Sequence, residues 1–247
     1  MSLDALFPPV ERVIFKKNPL VEVIWRATFE PLDDLSAHIP AFQHELSDIL
    51  KLAGVLPDAH TGEDVLWLVS SNGLWRAQLA ASEVRLTTTV YERWEEFSQT
   101  LHRVLDALRV AVPELERLNT TALRYVDVLD RKLMGCEGVP WTALLTGPLV
   151  QWMHTPGTLD APLAGLAQRV KLELADAQSL LLDLRWHVEH DEDSFLIACV
   201  FTHEAPLAFD EVRHAHERLR AFTGRVFRSF LTERAAQALE PEPIAEA

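Results

Sequence analysis

Asp64–Tyr91, DVLWLVSSNGLWRAQLAASEVRLTTTVY, decides the fold. Apolar and polar residues alternate along it with a period of two, the signature of strands with one buried face. The alternation is broken at Ser70-Ser71-Asn72-Gly73 and again at Ala81-Ser82, both rich in turn formers. The stretch therefore predicts a three-strand antiparallel meander. A meander cannot bury its apolar face alone, so helices have to cover it.

The flanking sequence supplies them. Leu32, Leu35, Ile39, Phe42, Leu46 and Ile49 recur at spacings of three and four, predicting an amphipathic helix that ends near Gly54, with Pro40 expected to kink or split it. After the meander, Trp94, Phe97, Leu101, Leu105, Leu108 and Val112 predict a long helix stopped by Pro113. Before it, Val10–Phe15 and Leu20–Phe29 read as extended pieces separated at Asn18-Pro19.

The same order recurs further on. Leu118–Leu129 reads as a strand, Trp141–Met153 as a short helix and Thr155–Pro162 as a loop. Leu166–Leu174, Leu180–Val188 and Phe195–Thr202 form a second meander, and Phe209–Phe230 a long amphipathic helix. The expected fold is α+β: one domain over residues 1–247, built of two βαβββα halves at about 10–115 and 116–236. These halves are related by a pseudo-twofold axis, with antiparallel sheets covered by helices. Residues 237–247, with Pro241 and Pro243, read as a disordered tail.

Composition narrows the function classes. The 247 residues carry a formal charge of -14, and 10 basic against 17 acidic residues through Leu115 and 13 against 20 afterwards leave each half at -7. Neither half is basic, so no nucleic-acid partner is expected. No apolar run approaches the roughly 18 residues of a membrane span and the start lacks a secretory pattern, which predicts a cytoplasmic protein with no membrane partner. Cys136 and Cys199 are too few for a metal cluster, and Cys199 reads as a buried strand thiol.

No phosphate loop, nucleophile elbow or metal spacing is present, and no cofactor or metal is expected. His214 and His216 are two apart on a helix and project to different faces, predicting one solvated and one half-buried side chain. Arg213, Arg220 and Arg228 line one helix side but are interleaved with acids, as on a solvated face. Arg124 is the more telling charge: it lies mid-strand between Leu123 and Tyr125, where it needs a partner, a cavity or water. Glu22 on the matching strand of the first half is a candidate partner across the pseudo-twofold. Glu22, Arg124, Tyr125, Asp127 and His187 are the candidate ligand-binding residues, at a polar pocket where the halves meet.

Asn18-Pro19-Leu20-Val21-Glu22, Tyr91-Glu92-Arg93-Trp94-Glu95-Glu96-Phe97 and Leu123-Arg124-Tyr125-Val126-Asp127 resemble motifs of a family of sporadically distributed, uncharacterised prokaryotic proteins of similar size. Phe227–Glu233 looks like that family's C-terminus. The family pattern usually has Asn at the position of Asp127 and Gly at that of Ala122. The resemblance implies no catalytic residues, and the patchy distribution looks like that of mobile or defence-linked accessory genes. Many aromatic anchors without a catalytic constellation predict a non-enzymatic binding or accessory protein with a protein partner, or a homo-oligomer. The rival expectation is an enzyme or small-ligand binder using the polar pocket.

Overall fold

The computed structural model describes residues 3–59, 61–147, 150, 165–189 and 192–244. The protein is α+β, with one large antiparallel sheet. In chain order the first elements are α1 (Leu3–Leu6), β1 (Val13–Phe15), β2 (Leu20–Thr28), α2 (Leu35–Leu46) and β3 (Lys51–Pro57). Then come β4 (Asp64–Val69), β5 (Trp75–Leu79), β6 (Glu83–Thr88), α3 (Trp94–Ala111), β7 (Arg117–Leu118), β8 (Thr120–Asp130) and α4 (Arg131–Met134). A 3₁₀ turn, Trp141–Ala143, precedes β9 (Gly165–Glu173), β10 (Gln178–Glu189), β11 (Glu192–His203) and β12 (Leu207–Ala208). The chain closes with α5 (Phe209–Ser229), α6 (Glu233–Ala238) and β13 (Pro241–Pro243). The strand order of the sheet is β3-β4-β5-β6-β2-β8-β11-β10-β9.

The chain divides into two compact units with boundaries different from the sequential halves. One comprises Glu22–Arg124 and Thr202–Leu219; the other comprises Met1–Val21, Tyr125–Phe201 and Arg220–Ala247.

In the first unit, the predicted meander is β4, β5 and β6, antiparallel throughout. The β4–β5 hairpin forms because Asn72 Oδ1 accepts from the Leu74 N–H at 3.1 Å and the Ser70 hydroxyl at 2.6 Å, while Gly73 takes φ +74°. β6 also pairs antiparallel with β2, whose Val23, Trp25 and Ala27 are fully buried. Phe97 of α3 stacks on Trp75 with ring centroids 5.8 Å apart, so α3 covers this face. His38 of α2 donates to the Ala111 carbonyl at the end of α3, at 2.7 Å.

Two expectations change here. Pro40 lies inside α2 without splitting it: its missing N–H frees the carbonyl of exposed Ser36, where water can take its place. Asp34 caps the helix by accepting from the Ser36 N–H at 2.9 Å. The chain after α2 is also a strand, β3, where a helix end was expected, so the first half has four strands after α2. As an edge strand β3 has no buried face, and a register shift between Leu52 and Gly54 breaks its period, so no alternation marks it in the sequence.

In the second unit, β9 pairs antiparallel with β10, and Leu180, Leu182, Leu184, Phe195, Ile197 and Phe201 form a core against Trp141, whose ring meets Phe195 edge-on at 4.9 Å. The helix predicted at Trp141–Met153 is a 3₁₀ turn at its start; residues 148, 149 and 151–153 of it, and all of the predicted loop 155–162, lie outside the described residues. α4 was not anticipated; Asp130 caps it through the Lys132 N–H at 2.8 Å and Gly135 ends it at φ +64°.

The expected C-terminal tail is ordered through residue 244. Thr232 caps α6, Leu239 is fully buried, and β13 pairs antiparallel with β1, setting Ile14 opposite Glu242. Lys16–Glu242 at 2.9 Å and Lys17–Glu240 at 3.1 Å flank the ladder. Proline tolerates this two-stranded edge because one side of each strand needs no donor.

Candidate functional site

The first unit contains a buried polar cluster that no motif announced. His216 of α5 is fully buried. Its Nε2 lies 2.9 Å from Trp25 Nε1 and 2.7 Å from Thr121 Oγ1, and Trp25 Nε1 also lies 2.9 Å from Thr121 Oγ1. Indole can only donate, so Trp25 gives its proton to this pair, the Thr121 hydroxyl donates onward, and His216 Nε2 accepts. The imidazole is thus neutral with its proton on Nδ1, which has no hydrogen-bond partner among the described residues. Burial, aided by nearby His102, pushes the His216 pKa down to about 3. The cluster fastens α5 to strands β2 and β8.

Beside it runs an α3–α5 seam in which Trp94 Nε1 donates to Glu217 at 2.5 Å and Arg213 pairs with Asp106 at 3.2 Å. His102 sits in this seam, its pKa lowered by burial and by Arg213 against the pull of Asp106 and Glu217. His214 is exposed as expected, but His216 is completely buried where half-burial was expected. It belongs to the inward face of Val212, Ala215 and Leu219. That i, i+3, i+4, i+7 pattern was the sequence signal for it.

Two further arginines of α5 serve the protein itself. In the second unit Arg225 pairs with Asp4 at 2.5 Å and Arg228 donates to the Glu11 carbonyl at 2.7 Å.

The five predicted site residues fall in both units. In the first, Glu22 faces Arg76 at 3.8 Å, where Arg124 was the expected partner. Arg124 is half-buried and makes no ion pair or hydrogen bond among the described residues. In the second unit, Tyr125 and Asp127 are buried. Burial raises the Asp127 pKa to about 8, so the carboxyl is largely protonated at neutral pH. Cys199 lies near it; burial, and then Asp127, push the thiol pKa up and keep it unreactive. His187 lies on β10 opposite Gly165.

Two surface features of the first unit stand out. The face of the sheet opposite Trp25 carries Arg26, Arg76 and Arg85 with Glu22 and Glu83, and half-exposed Trp67 and Gln78. Glu83 binds both Arg26 and Arg85. At the rim of the sheet, β3 exposes Leu52, Val55 and Leu56 at 51%, 43% and 55%. The strand at the other end of the sheet, β9, exposes Arg169, Lys171 and Glu173.

The sequence matches no protein-family model and no curated protein. No helix among the described residues is long and apolar enough to cross a membrane.

Proposed function

We propose that the protein is a non-enzymatic accessory protein that works through protein contacts, and that its first contact is a second copy of itself at β3. The observation carrying this reading is the apolar edge strand. Edges are normally blunted with charge, bulges or proline. β3 has a register shift and Pro57 but only one charge, Lys51, and three large apolar side chains stay exposed. The backbone devices limit open-ended pairing; the side chains still favour removal from water, by roughly 25 cal/mol per Å² of apolar surface.

Antiparallel pairing with a second copy hydrogen-bonds the free edge of each β3, with Leu52 and Val55 on the Leu66 and Leu68 face and Leu56 on the Trp67 face. Lys51 then approaches the partner's Asp58 end, an attractive pairing in a chain of charge -14. Sedimentation over a concentration series tests this. Dimer is expected for the natural chain and monomer for Leu56→Lys; a natural chain that stays monomeric throughout would overturn the reading.

We further propose that the fold arose by duplication. Read inward from either side, β4, β5, β6, β2 and β9, β10, β11, β8 have the same arrangement, with β3 an addition to the first half. Pseudo-twofold symmetry of two βαβββα halves is the simplest origin of that order.

A further inference from the structure

The face of the first unit's sheet opposite Trp25 gathers arginines, with Glu22 and Glu83 as the acids among them. Register places a row across four strands: Trp67 of β4, Gln78 of β5, Arg85 of β6 and Arg26 of β2. Arg76 lies in the next row, opposite Thr87. Thr121 reaches the buried cluster, so strand alternation puts Arg124, three residues on, on the arginine-bearing face.

The row is costly to the fold. Arg26 and Arg85 are direct cross-strand neighbours, a like-charge pairing that destabilises sheets. Glu83 holds both, accepting from Arg85 at 2.6 Å and from Arg26. One carboxylate between two guanidiniums leaves a net positive charge and unused N–H donors, and Arg26 and Arg85 side chains are 53% and 39% exposed. Two strand spacings, roughly 10 Å, separate Arg85 from the half-exposed Trp67 indole, and three, roughly 14 Å, separate Arg26 from it.

We propose that this face binds single-stranded nucleic acid, with a base stacked on Trp67 and backbone phosphates on Arg85, Arg26 and Arg76. An antiparallel sheet backed by helices, with an aromatic ring and arginines on its other side, is the arrangement by which stacking platforms hold unpaired strands. A flat face reads no duplex groove, and an indole beside the arginines suits a base better than a carboxylate side chain. Trp67 lies directly opposite Gly54 of β3, so the face adjoins that edge. Sedimentation reads the β3 pairing and oligonucleotide titration reads this face, so failure of either reading leaves the other standing.

Fluorescence anisotropy of labelled oligodeoxythymidine and oligouridine, titrated with the full chain, provides the test. Binding is expected at low ionic strength, with log affinity falling against log salt at a slope of about -2 for three phosphate contacts. Arg85→Gln should reduce that slope by roughly 0.7. Trp67→Ala should weaken binding roughly tenfold to hundredfold, with Trp67→Phe restoring most of it. Half-exposed Arg76→Gln, which leaves the core untouched, should weaken binding with an unchanged unfolding transition. Absence of binding at low salt, duplex bound as tightly as single strand, equal competition by polyglutamate, or indifference to Trp67→Ala and Arg85→Gln would each overturn the proposal.

Discussion

Replacing Asp127 by Asn should remove one limb of the protein's stability profile against pH. Burial raises the Asp127 pKa from 3.8 to about 8, so the folded state holds its proton more tightly than the unfolded chain. Its contribution is fully present below pH 3.8 and is lost as pH rises towards 8. At about 1.4 kcal/mol per pH unit, a gap of about four units sets an upper bound near 6 kcal/mol, which relaxation around the buried charge reduces. His216 acts in the opposite sense: its pKa falls from 6.5 to about 3, so its contribution is present above 6.5 and is lost as pH drops towards 3.

Between pH 3.8 and 6.5 the Asp127 and His216 slopes oppose each other, with the lowered His102 pKa adding to the His216 side. Above 6.5 Asp127 acts alone, and stability falls by about 2 kcal/mol on the way to pH 8. Urea unfolding followed by tryptophan fluorescence from pH 4 to 9 measures both proteins. Subtracting the Asp127→Asn curve from the natural one cancels the repulsion of the -14 net charge, common to both. The difference should decline steadily from pH 4 to 8. A difference independent of pH would show that Asp127 keeps an ordinary pKa in the fold and refute the reasoning.

Thr121→Val should cost about 1–3 kcal/mol in urea unfolding, because it strips a partner from both the Trp25 N–H and His216 Nε2; Thr121→Ser should cost much less. Phe97→Ala empties a fully enclosed site stacked on Trp75 and should lower stability by about 3–5 kcal/mol, read as a fall in the urea midpoint with unchanged slope. Gly135→Ala places a side chain at φ +64° and should cost about 1 kcal/mol, measured the same way. Truncation after Leu239 removes β13 and should raise hydrogen exchange at Lys16, whose amide donates to Glu240; unchanged protection there would show that the ladder contributes nothing.

Local sequence determined the elements whose period is repeated long enough to be unambiguous. The helix spacing of Trp94 to Val112 became α3, that of Phe209 to Phe230 became α5, and the alternation of Asp64–Tyr91 became β4, β5 and β6. These are properties of neighbouring residues, set by 3.6 and two residues per repeat. β3 escaped because an exposed edge imposes no alternation, and β13 because two prolines around one glutamate mark a strand only once β1 lies beside it.

The candidate site was the least legible part, because it depends on partners far apart in the chain. Glu22 carries no label for Arg76, nor Trp25 for Thr121 and His216, more than ninety residues away. Net charge likewise counts residues without assigning them to a surface. The sequence determined that the chain is acidic; the tertiary structure decided that Arg26, Arg76 and Arg85 gather on one sheet face. Strand register is what places Arg26 opposite Arg85, and register is settled by nonlocal pairing.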